Sequence, residues 1–199
     1  MTAKNLERWG AVSQCFHWLI VVLILAIATI GLVMGDLPKT PKYFWVFTLH
    51  KSLGITVLVL AVLRLAWRLY AGAPAAVPGT PRWQARIASL THWALYALIF
   101  AMPLSGWLYD SSSGLRPFRW FGLAEMPKLS PPNESLSHLS HEIHETLFLV
   151  LAGLVTAHAL AALYHHFFQN DATLTRMLPE SWSRPRSQDE PPQESNDVV

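Results

Sequence analysis

Four long apolar runs, separated by short polar segments, dominate this chain. Three of them, residues 9–35, 87–109 and 146–170, contain no Asp, Glu, Lys or Arg. The fourth, residues 44–70, carries charges only towards its two ends. A helix that crosses a bilayer needs about 20 mostly apolar residues, and each run is long enough. The pattern therefore predicts four transmembrane helices.

The first run has to be distinguished from a secretory signal peptide. Its apolar part, Phe16 to Gly35, is longer than the roughly 7–15 residues of a signal-peptide core. No small-x-small cleavage pattern lies cleanly at its end. We therefore predict that the run is retained as the first span.

The connections between the runs are rich in proline and glycine. Pro38 and Pro41 predict a tight turn after the first run, and the prolines of the segment Ala71–Arg82 cannot continue a helix. The longest loop runs from Asp110 to about Ser137, and its Gly and Pro residues are expected to exclude regular structure. Its apolar residues predict a lid on the end of the bundle: Phe118, Trp120, Phe121 and Leu123.

These elements predict an all-α protein, a transmembrane four-helix bundle in which facing helices project ligands inward. A single four-span domain is expected from residue 5 to residue 178. Residues 179–199 are polar and Pro-rich, and we predict that they form a disordered tail.

Charge supports a membrane location and sets an orientation. Of the 199 residues only 14% are charged, against about 25% in soluble domains. Nine Lys and Arg residues fall on the side of the termini and six on the other side, and the basic connection after the second run contains no acid. The positive-inside rule then predicts that both termini are cytoplasmic. Membrane lipid is the expected surrounding, and no basic tract suggests nucleic acid.

The single cysteine, Cys15, excludes several redox chemistries. A c-type haem needs C-x-x-C-H, an iron–sulfur cluster needs several thiolates, and a disulfide needs a second cysteine. The chain also lacks a Gly-rich phosphate loop and a dinucleotide fingerprint. Any redox cofactor must therefore be held by histidine.

Histidines inside the apolar runs form the candidate site. An imidazole in hydrocarbon is costly, so an intramembrane His is a functional-site hypothesis by default. Two of them lie 14 positions apart in the last run, which at about 1.5 Å and 100° per residue separates them by roughly 21 Å on nearly one helix face. One helix can thus present two ligands at two depths, as a two-haem membrane cytochrome requires. The candidates are His17, His50, His144 and His158.

Depth along the helices pairs these residues. With the N-terminus inside, His50 and His144 lie near the periplasmic side, whereas His17 and His158 lie nearer the cytoplasm. Each pair comes from two different helices, as bis-imidazole axial ligation requires. We predict two haem b groups whose irons are bound by these pairs; the alternative is four core histidines hydrogen-bonded to neighbouring helices.

The 14-residue spacing recurs in the other runs. Gly31 follows His17, Arg64 follows His50 and Gly106 follows His92 at this interval, which equals two heptads and keeps each pair on one face of a left-handed bundle. A glycine there, or at Gly54, would let a flat macrocycle approach the backbone. Arg64 lies at the depth of the inner haem, where it either pairs with a haem propionate or snorkels to the interface. For Arg68 snorkelling is the preferred interpretation.

Other histidines are weaker ligand candidates. His92 would be an interhelical hydrogen-bonding group, or a propionate or quinone contact. His165 is the best rival of His158, but His144 and His165 would be roughly 31 Å apart, the whole hydrocarbon thickness. His166 is expected at the interface. The segment from His138 to Glu145 contains H-E-I-H, which is not the H-E-x-x-H of a zinc protease.

The sequence resembles the bacterial cytochrome b561 family of small di-haem b cytochromes, which are similar to cytochrome subunits of hydrogenases and formate dehydrogenases. The resemblance covers about residues 5–178. It implies haem ligands in the first, second and fourth spans, which match the four histidines selected by spacing. The matching motifs are FHW (16–18), LHKSLG (49–54), VLRLAWR (62–68), THWALY (91–96), LSGWL (104–108), HE (144–145), HALAALYHHF (158–167) and RML (176–178).

The resemblance also implies a bacterial inner-membrane protein that exchanges electrons with quinone. Some relatives are described as superoxide oxidases that reduce ubiquinone, and others anchor a partner dehydrogenase or redox protein; both functions stay open for this chain. A superoxide:quinone oxidoreductase needs a positive approach to the outer haem, for which the candidates are Lys51, Arg116 and Arg119. Candidates for a quinone site are His141, Glu142, Lys51 and His92.

Overall fold

The computed structural model describes residues 7–115, 118–179 and 182. Arg116, one of the basic residues singled out above, and nearly all of the predicted tail lie outside the described residues. The elements in chain order are α1 (Ala11–Gly35), a 3-10 turn (Pro41–Tyr43), α2 (Phe44–Ala71), α3 (Arg82–Ser112), β1 (Arg119–Trp120), β2 (Ala124–Glu125), α4 (Glu134–Phe167) and a second 3-10 turn (Thr175–Met177).

The four helices have the length and apolar composition of membrane spans. The predicted all-α four-helix bundle with four spans is therefore confirmed. The connections reverse the chain between successive helices, so α1 begins at the end of the bundle where α4 ends. We call this the termini end of the bundle, and the opposite end, which carries residues 113–115 and 118–133, the loop end.

Helix packing follows the chain order. The most extensive contacts are between α3 and α4, followed by those of α1 with α2 and of α2 with α3. Apolar side chains from all four helices fill the interior, and the most deeply buried of them are Ile20, Val46, Ile55, Val57, Ala61, Tyr96 and Leu151. The helices thus enclose one common interior, into which ligands can project.

Local sequence accounts for the helix ends. Gly72 ends α2 with a φ of 83°, a left-handed conformation that costs glycine nothing. Pro81 precedes α3 and, because it cannot lie in a helix interior, marks its first turn. Asn133 caps α4 by accepting a hydrogen bond of 2.9 Å from the backbone N–H of Leu136, which satisfies one of the unpaired donors of the first turn.

The long loop differs from the prediction in two respects. It is shorter, because α3 continues to Ser112 and α4 already begins at Glu134. It also contains a two-stranded antiparallel hairpin, in which Arg119 pairs with Glu125 and Trp120 with Ala124. The expected absence of regular structure was wrong because Phe121 and Gly122 adopt positive φ values of 46° and 75° and form the tight turn that a short hairpin needs.

The hairpin packs on the loop end of α2, as the apolar residues of the loop predicted. The Trp120 indole N–H donates to the backbone oxygen of Ser52 at 3.1 Å and lies 3.2 Å from the Thr56 hydroxyl. The backbone N–H of Phe121 donates to the Ser52 hydroxyl at 3.1 Å. Phe118 is buried, whereas Leu123 is 75% exposed and takes no part in the contact. The lid is therefore held by hydrogen bonds as much as by apolar packing.

Candidate functional site

The structure brings His50 of α2 and His144 of α4 together at the loop end. Their ring centroids are 6.2 Å apart and their planes are inclined by 76°. Both rings are partly buried in the bundle. Residues 94 positions apart in the chain thus face each other across the interior.

A second pair lies towards the termini end. The rings of His17 on α1 and His158 on α4 have centroids 6.4 Å apart and an interplanar angle of 80°. Since α4 contributes to both pairs, the 14-residue separation of His144 and His158 sets the two sites about 21 Å apart along the bundle. The structure therefore forms both pairs that depth alone predicted.

The spacing within each pair fits one metal ion between two imidazoles. With metal–nitrogen bonds of about 2.0–2.1 Å, opposed imidazole ligands place their ring centroids roughly 6 Å apart. Both observed separations, 6.2 and 6.4 Å, agree with this value. Histidines that merely hydrogen-bonded to each other would be in closer contact. The residues present therefore fit haem iron with two axial histidines at each depth.

His144 is held in a defined orientation by α3. Its Nδ1 lies 3.0 Å from the Ser105 hydroxyl and 3.0 Å from the backbone oxygen of Met102. A ligating histidine commonly donates its second ring N–H to such a group, which fixes the tautomer and the ring plane. This arrangement leaves Nε2 of His144 as the nitrogen available to a metal.

His17 and His50 have no comparable anchor. The Nδ1 of His17 is buried and has no hydrogen-bond partner among the described residues, whereas the His50 ring has only a weaker interaction with the backbone of Ile27. An unpaired buried polar atom costs about 1–3 kcal/mol, and such exceptions in a folded protein call for a functional explanation. Coordination of a metal through Nε2 would leave Nδ1 unpaired, so the evidence for a ligand role is the distance between the two rings of each pair.

Two glycines form seats for the His50 and His144 rings at the loop end. A Cβ at Gly31 would lie 3.1 Å from Cε1 of His50, and a Cβ at Gly106 would lie 2.9 Å from Cε1 of His144. The expectation that these two glycines open space for a macrocycle was therefore incomplete, because each one first makes room for an imidazole of the neighbouring helix. Around Gly54 no atom lies within 4 Å of such a Cβ, so a close approach there stays a prediction.

The termini-end pair has cationic and aromatic neighbours. His92 packs edge-on against His158 with a centroid distance of 5.5 Å. The guanidinium of Arg64 lies 5.6 Å from the centre of the Tyr96 ring, and whether it also meets a propionate stays a prediction. Arg68 is more than a snorkelling residue, because its guanidinium packs against the rings of Trp9, Trp93 and Tyr96 at 5.3–5.6 Å.

His165, the alternative candidate to His158, contacts a residue outside both histidine pairs. Its Nδ1 lies 2.5 Å from Oδ2 of Asp171, a residue beyond the end of α4. Burial raises the pKa of Asp171, but hydrogen bonds from Thr173 and His165 outweigh this effect and hold that pKa below its usual value. The ring of His165 is thereby directed towards the polar end of the bundle.

At the loop end, Lys51 is not an independent positive charge. Its ammonium forms an ion pair of 2.5 Å with Asp110, whose side chain is only 7% exposed, and it lies 5.8 Å from the centre of the Phe118 ring. The positive surface predicted to attract superoxide therefore loses Lys51 as one of its three basic residues, while Arg119 remains exposed. We missed Asp110 as a partner, although an acid directly at the end of an uncharged run was a usable signal.

The remaining quinone-site candidates occupy the loop end of α4. The His141 ring packs against that of Tyr109 at a tilt of 57° with a centroid distance of 4.7 Å, and His141 lies 3.7 Å from a carboxylate oxygen of Glu145. Glu142 is exposed on the same turn. These residues are separated from His92, which lies at the termini end, so the structure does not bring the candidate set together in one place.

Comparison with known proteins agrees with this geometry. The profile of the family described as prokaryotic cytochrome b561 matches residues 8–180. The chain is 32% identical over 184 residues to cytochrome b561 homolog 2 of Escherichia coli (strain K12), covering 89% of this chain and 94% of the relative. It is 35% identical over 176 residues to cytochrome b561 homolog 1 of the same organism, with coverages of 87% and 98%. It is 32% identical over 178 residues to a protein of Yersinia pestis named probable superoxide oxidase CybB, with coverages of 87% and 97%.

Proposed function

The chain belongs to the prokaryotic cytochrome b561 family, a family of membrane electron-transfer proteins that bind b-type haem, and from this we propose that it carries two haems and passes electrons across the bilayer to or from quinone. The observation that carries the proposal is the presence of two interhelical histidine pairs, 6.2 and 6.4 Å between centroids, at two depths of one bundle. One haem would be held by His50 and His144, and the other by His17 and His158.

The residues of the chain fix the geometry that such transfer needs. When bound, a b-type haem supplies a one-electron redox centre whose potential depends on its ligands, hydrogen bonds and burial. Ser105 and Met102 hold the His144 ring in one orientation. The hairpin packs on α2 at Ser52 and Thr56, close in the chain to His50. A ligand ring held in one orientation, as that of His144 is, keeps its own reorganisation small during electron transfer.

Orientation follows from the distribution of basic residues. We propose that the termini end faces the cytoplasm of a bacterial inner membrane, because Lys and Arg are in excess on that side and its connection lacks acids. The His50–His144 site then lies towards the periplasm, below the lid. Electrons from a periplasmic donor would enter there.

For the donor we propose superoxide, with ubiquinone as the acceptor. Two superoxide anions would each lose one electron and become O₂, while one quinone takes up both electrons and two protons to form quinol. The name of the Yersinia pestis relative, probable superoxide oxidase, supports this choice. Arg119 is exposed at the loop end and can attract a small anion. An electron-transfer anchor for a partner dehydrogenase or redox protein is the competing function.

The first experiment counts the haems and assigns their ligands. Pyridine haemochrome analysis of the purified protein should give two b-type haems per chain. His50→Ala and His144→Ala should each remove one haem, and His17→Ala and His158→Ala the other, whereas the matched control His138→Ala should retain both. A single haem in the wild-type protein, or loss of the second haem in His165→Ala but not in His158→Ala, would contradict the assignment.

The second experiment tests the donor. The detergent-solubilised protein is mixed rapidly with superoxide, with and without ubiquinone, and the haem absorbance is followed. Reduction should be fast, should be reversed by ubiquinone, and should slow as salt rises, since the Debye length is only about 10 Å at 0.1 M. Arg119→Gln should slow it further. Absence of reduction by superoxide would favour the anchor function.

A further inference from the structure

Residues 171–179, which follow α4, cross the termini end of the bundle; we call them the C-terminal strap. The strap contains the second 3-10 turn, Thr175–Met177. Its first residue, Asp171, is tied back to α4 by the contact with His165 and accepts a 2.8 Å hydrogen bond from the backbone N–H of Thr173. The strap is thereby fixed to the helix from which it emerges.

Side chains at the start of α1 bind the far part of the strap. Gln14 Nε2 donates to the backbone oxygens of Arg176 at 3.3 Å and Leu178 at 3.0 Å, and Trp18 Nε1 donates to that of Met177 at 2.8 Å. Arg8, just before α1, donates to the strap carbonyls of Thr175 at 3.1 Å and Leu178 at 2.7 Å. Because side chains of α1 and of Arg8 just before it supply the donors and the strap supplies only backbone acceptors, the contact depends on the path of the strap.

The strap is also connected to the loop between α2 and α3. Arg176 Nη1 donates to the backbone oxygen of Ala75 at 2.7 Å. The strap therefore joins α1, α4 and the α2–α3 connection at one end of the bundle. No other described segment beyond the helices makes this set of connections.

The two donors on α1 lie next to the proposed ligand His17. Gln14 and Trp18 lie one helical turn apart and flank His17 in the chain. Trp18 also contacts the ligand directly, since its ring packs edge-on against the His17 imidazole with a centroid distance of 5.1 Å. The indole is thus held by the strap on one side and touches the ligand on the other.

The ligands of this site come from α1 and α4, which are not among the extensively packed helix pairs. The neighbouring contacts of α1 are with α2, and those of α4 are with α3. Direct helix packing therefore does little to set the distance between His17 and His158. The strap provides a connection between α1 beside His17 and the end of α4 at His165, about 10 Å along α4 from His158.

We infer that the C-terminal strap is a positioning element that holds His17 opposite His158, with Gln14 and Trp18 as its positioning residues on α1. This inference rests on the proposed function, because it assigns the pair to a haem. Loosening the strap should weaken haem binding at the His17–His158 site and leave the His50–His144 site intact.

The test uses the full chain with substitutions that remove donors and preserve bulk. Trp18→Phe keeps an aromatic ring beside His17 but removes the indole N–H. Gln14→Glu keeps the shape but presents an acceptor to two carbonyl oxygens. Trp107→Phe is the matched control, since the Trp107 indole donates to the backbone oxygen of Pro127 at 2.9 Å at the opposite end.

Two readouts are combined. Hydrogen exchange of residues 172–178 reports on the strap without reference to haem. Haem transfer to excess apomyoglobin, with the EPR spectrum of the haem that remains, reports on each site. In the double variant Gln14→Glu/Trp18→Phe the strap should exchange faster, and the His17–His158 haem should be lost on the order of tenfold more readily, since each lost hydrogen bond weakens the contact. Trp107→Phe should leave that haem unchanged.

The outcomes separate the two proposals. Faster exchange of the strap with both haems unaffected would overturn the positioning role. Equal weakening of both haems would also overturn it, because a general loss of stability would then explain the result. A wild-type chain with no haem at His17 and His158 would instead contradict the proposed function, while hydrogen exchange would still measure the strap.

Discussion

The seat of the His144 ring on Gly106 allows a graded test of the loop-end site. A Cβ at Gly106 would lie 2.9 Å from Cε1 and 3.1 Å from Nδ1 of His144. Ordinary contact begins at 3.4 Å, so in Gly106→Ala the ring must retreat by about half an ångström. Its bonds to Ser105 and Met102 oppose that movement. The substitution should therefore displace a ligand while leaving its chemistry unchanged.

The expected magnitude is the balance of two effects. Overpacking of this kind costs about 1–3 kcal/mol, while Ala in place of Gly in a helix gains about 1 kcal/mol in the fold as a whole. The gain in helix stability does not change the affinity for haem. If about 2 kcal/mol falls on the displaced ligand, the affinity of the His50–His144 site for haem should decrease roughly 30-fold.

Gly31→Ala and Gly153→Ala complete the series. At Gly31 the closest contact would be 3.1 Å, to Cε1 of His50. The His50 ring is held less firmly than that of His144, with only a weaker interaction with the backbone of Ile27, and can shift more easily, so the loss should be smaller. Around Gly153, on the same helix as His144, nothing lies within 4 Å, and Ala there should bind haem as the wild type does.

Haem titration of the apoprotein, followed by the low-spin absorption and EPR spectra, measures the three variants. The expected order of haem loss is Gly106→Ala, then Gly31→Ala, with Gly153→Ala unaffected. Equal haem affinities in Gly106→Ala and Gly153→Ala would refute the close contact between Gly106 and the His144 ring. A larger loss in Gly31→Ala than in Gly106→Ala would show that the hydrogen bonds of His144 do not restrain its ring.

Three further predictions concern other parts of the molecule. Lys51→Gln should destabilise the protein by about 1–3 kcal/mol in thermal unfolding. This is less than the loss of a fully buried ion pair would cost, because Lys51 is 30% exposed while Asp110 is buried. The double variant Lys51→Gln/Asp110→Asn should recover part of the stability, and full additivity of the two substitutions would argue against the ion pair. Ser52→Ala removes the acceptor of the Phe121 N–H and should speed hydrogen exchange of the hairpin, whereas unchanged exchange would mean that apolar packing alone holds it. The pKa of Asp171 is held low, so the contribution of its carboxylate to strap stability is present above its ordinary pKa and is lost as pH falls through the lowered value. Hydrogen exchange of the strap should therefore not respond to Asp171 between about pH 5 and 8. Asp171→Asn should abolish any loosening of the strap at lower pH.

The sequence by itself determined the spans, the fold class and the pairing of the histidines. These features depend on quantities that are local to each helix. Apolar length sets a span, and the rise per residue converts a position into a depth. His144 and His158 could therefore be matched to His50 and His17 without knowledge of which helices touch.

Only the tertiary structure decided what surrounds each ligand. Whether Gly106 meets a macrocycle or the His144 ring depends on the rotation and separation of α3 and α4, which no single helix specifies. The hydrogen bonds from Gln14 and Trp18 to the strap join residues more than 150 positions apart, and the Lys51–Asp110 pair joins two spans. Such contacts arise because side chains reach backbone atoms and charges across helix interfaces, and hydrophobic periodicity does not encode that geometry.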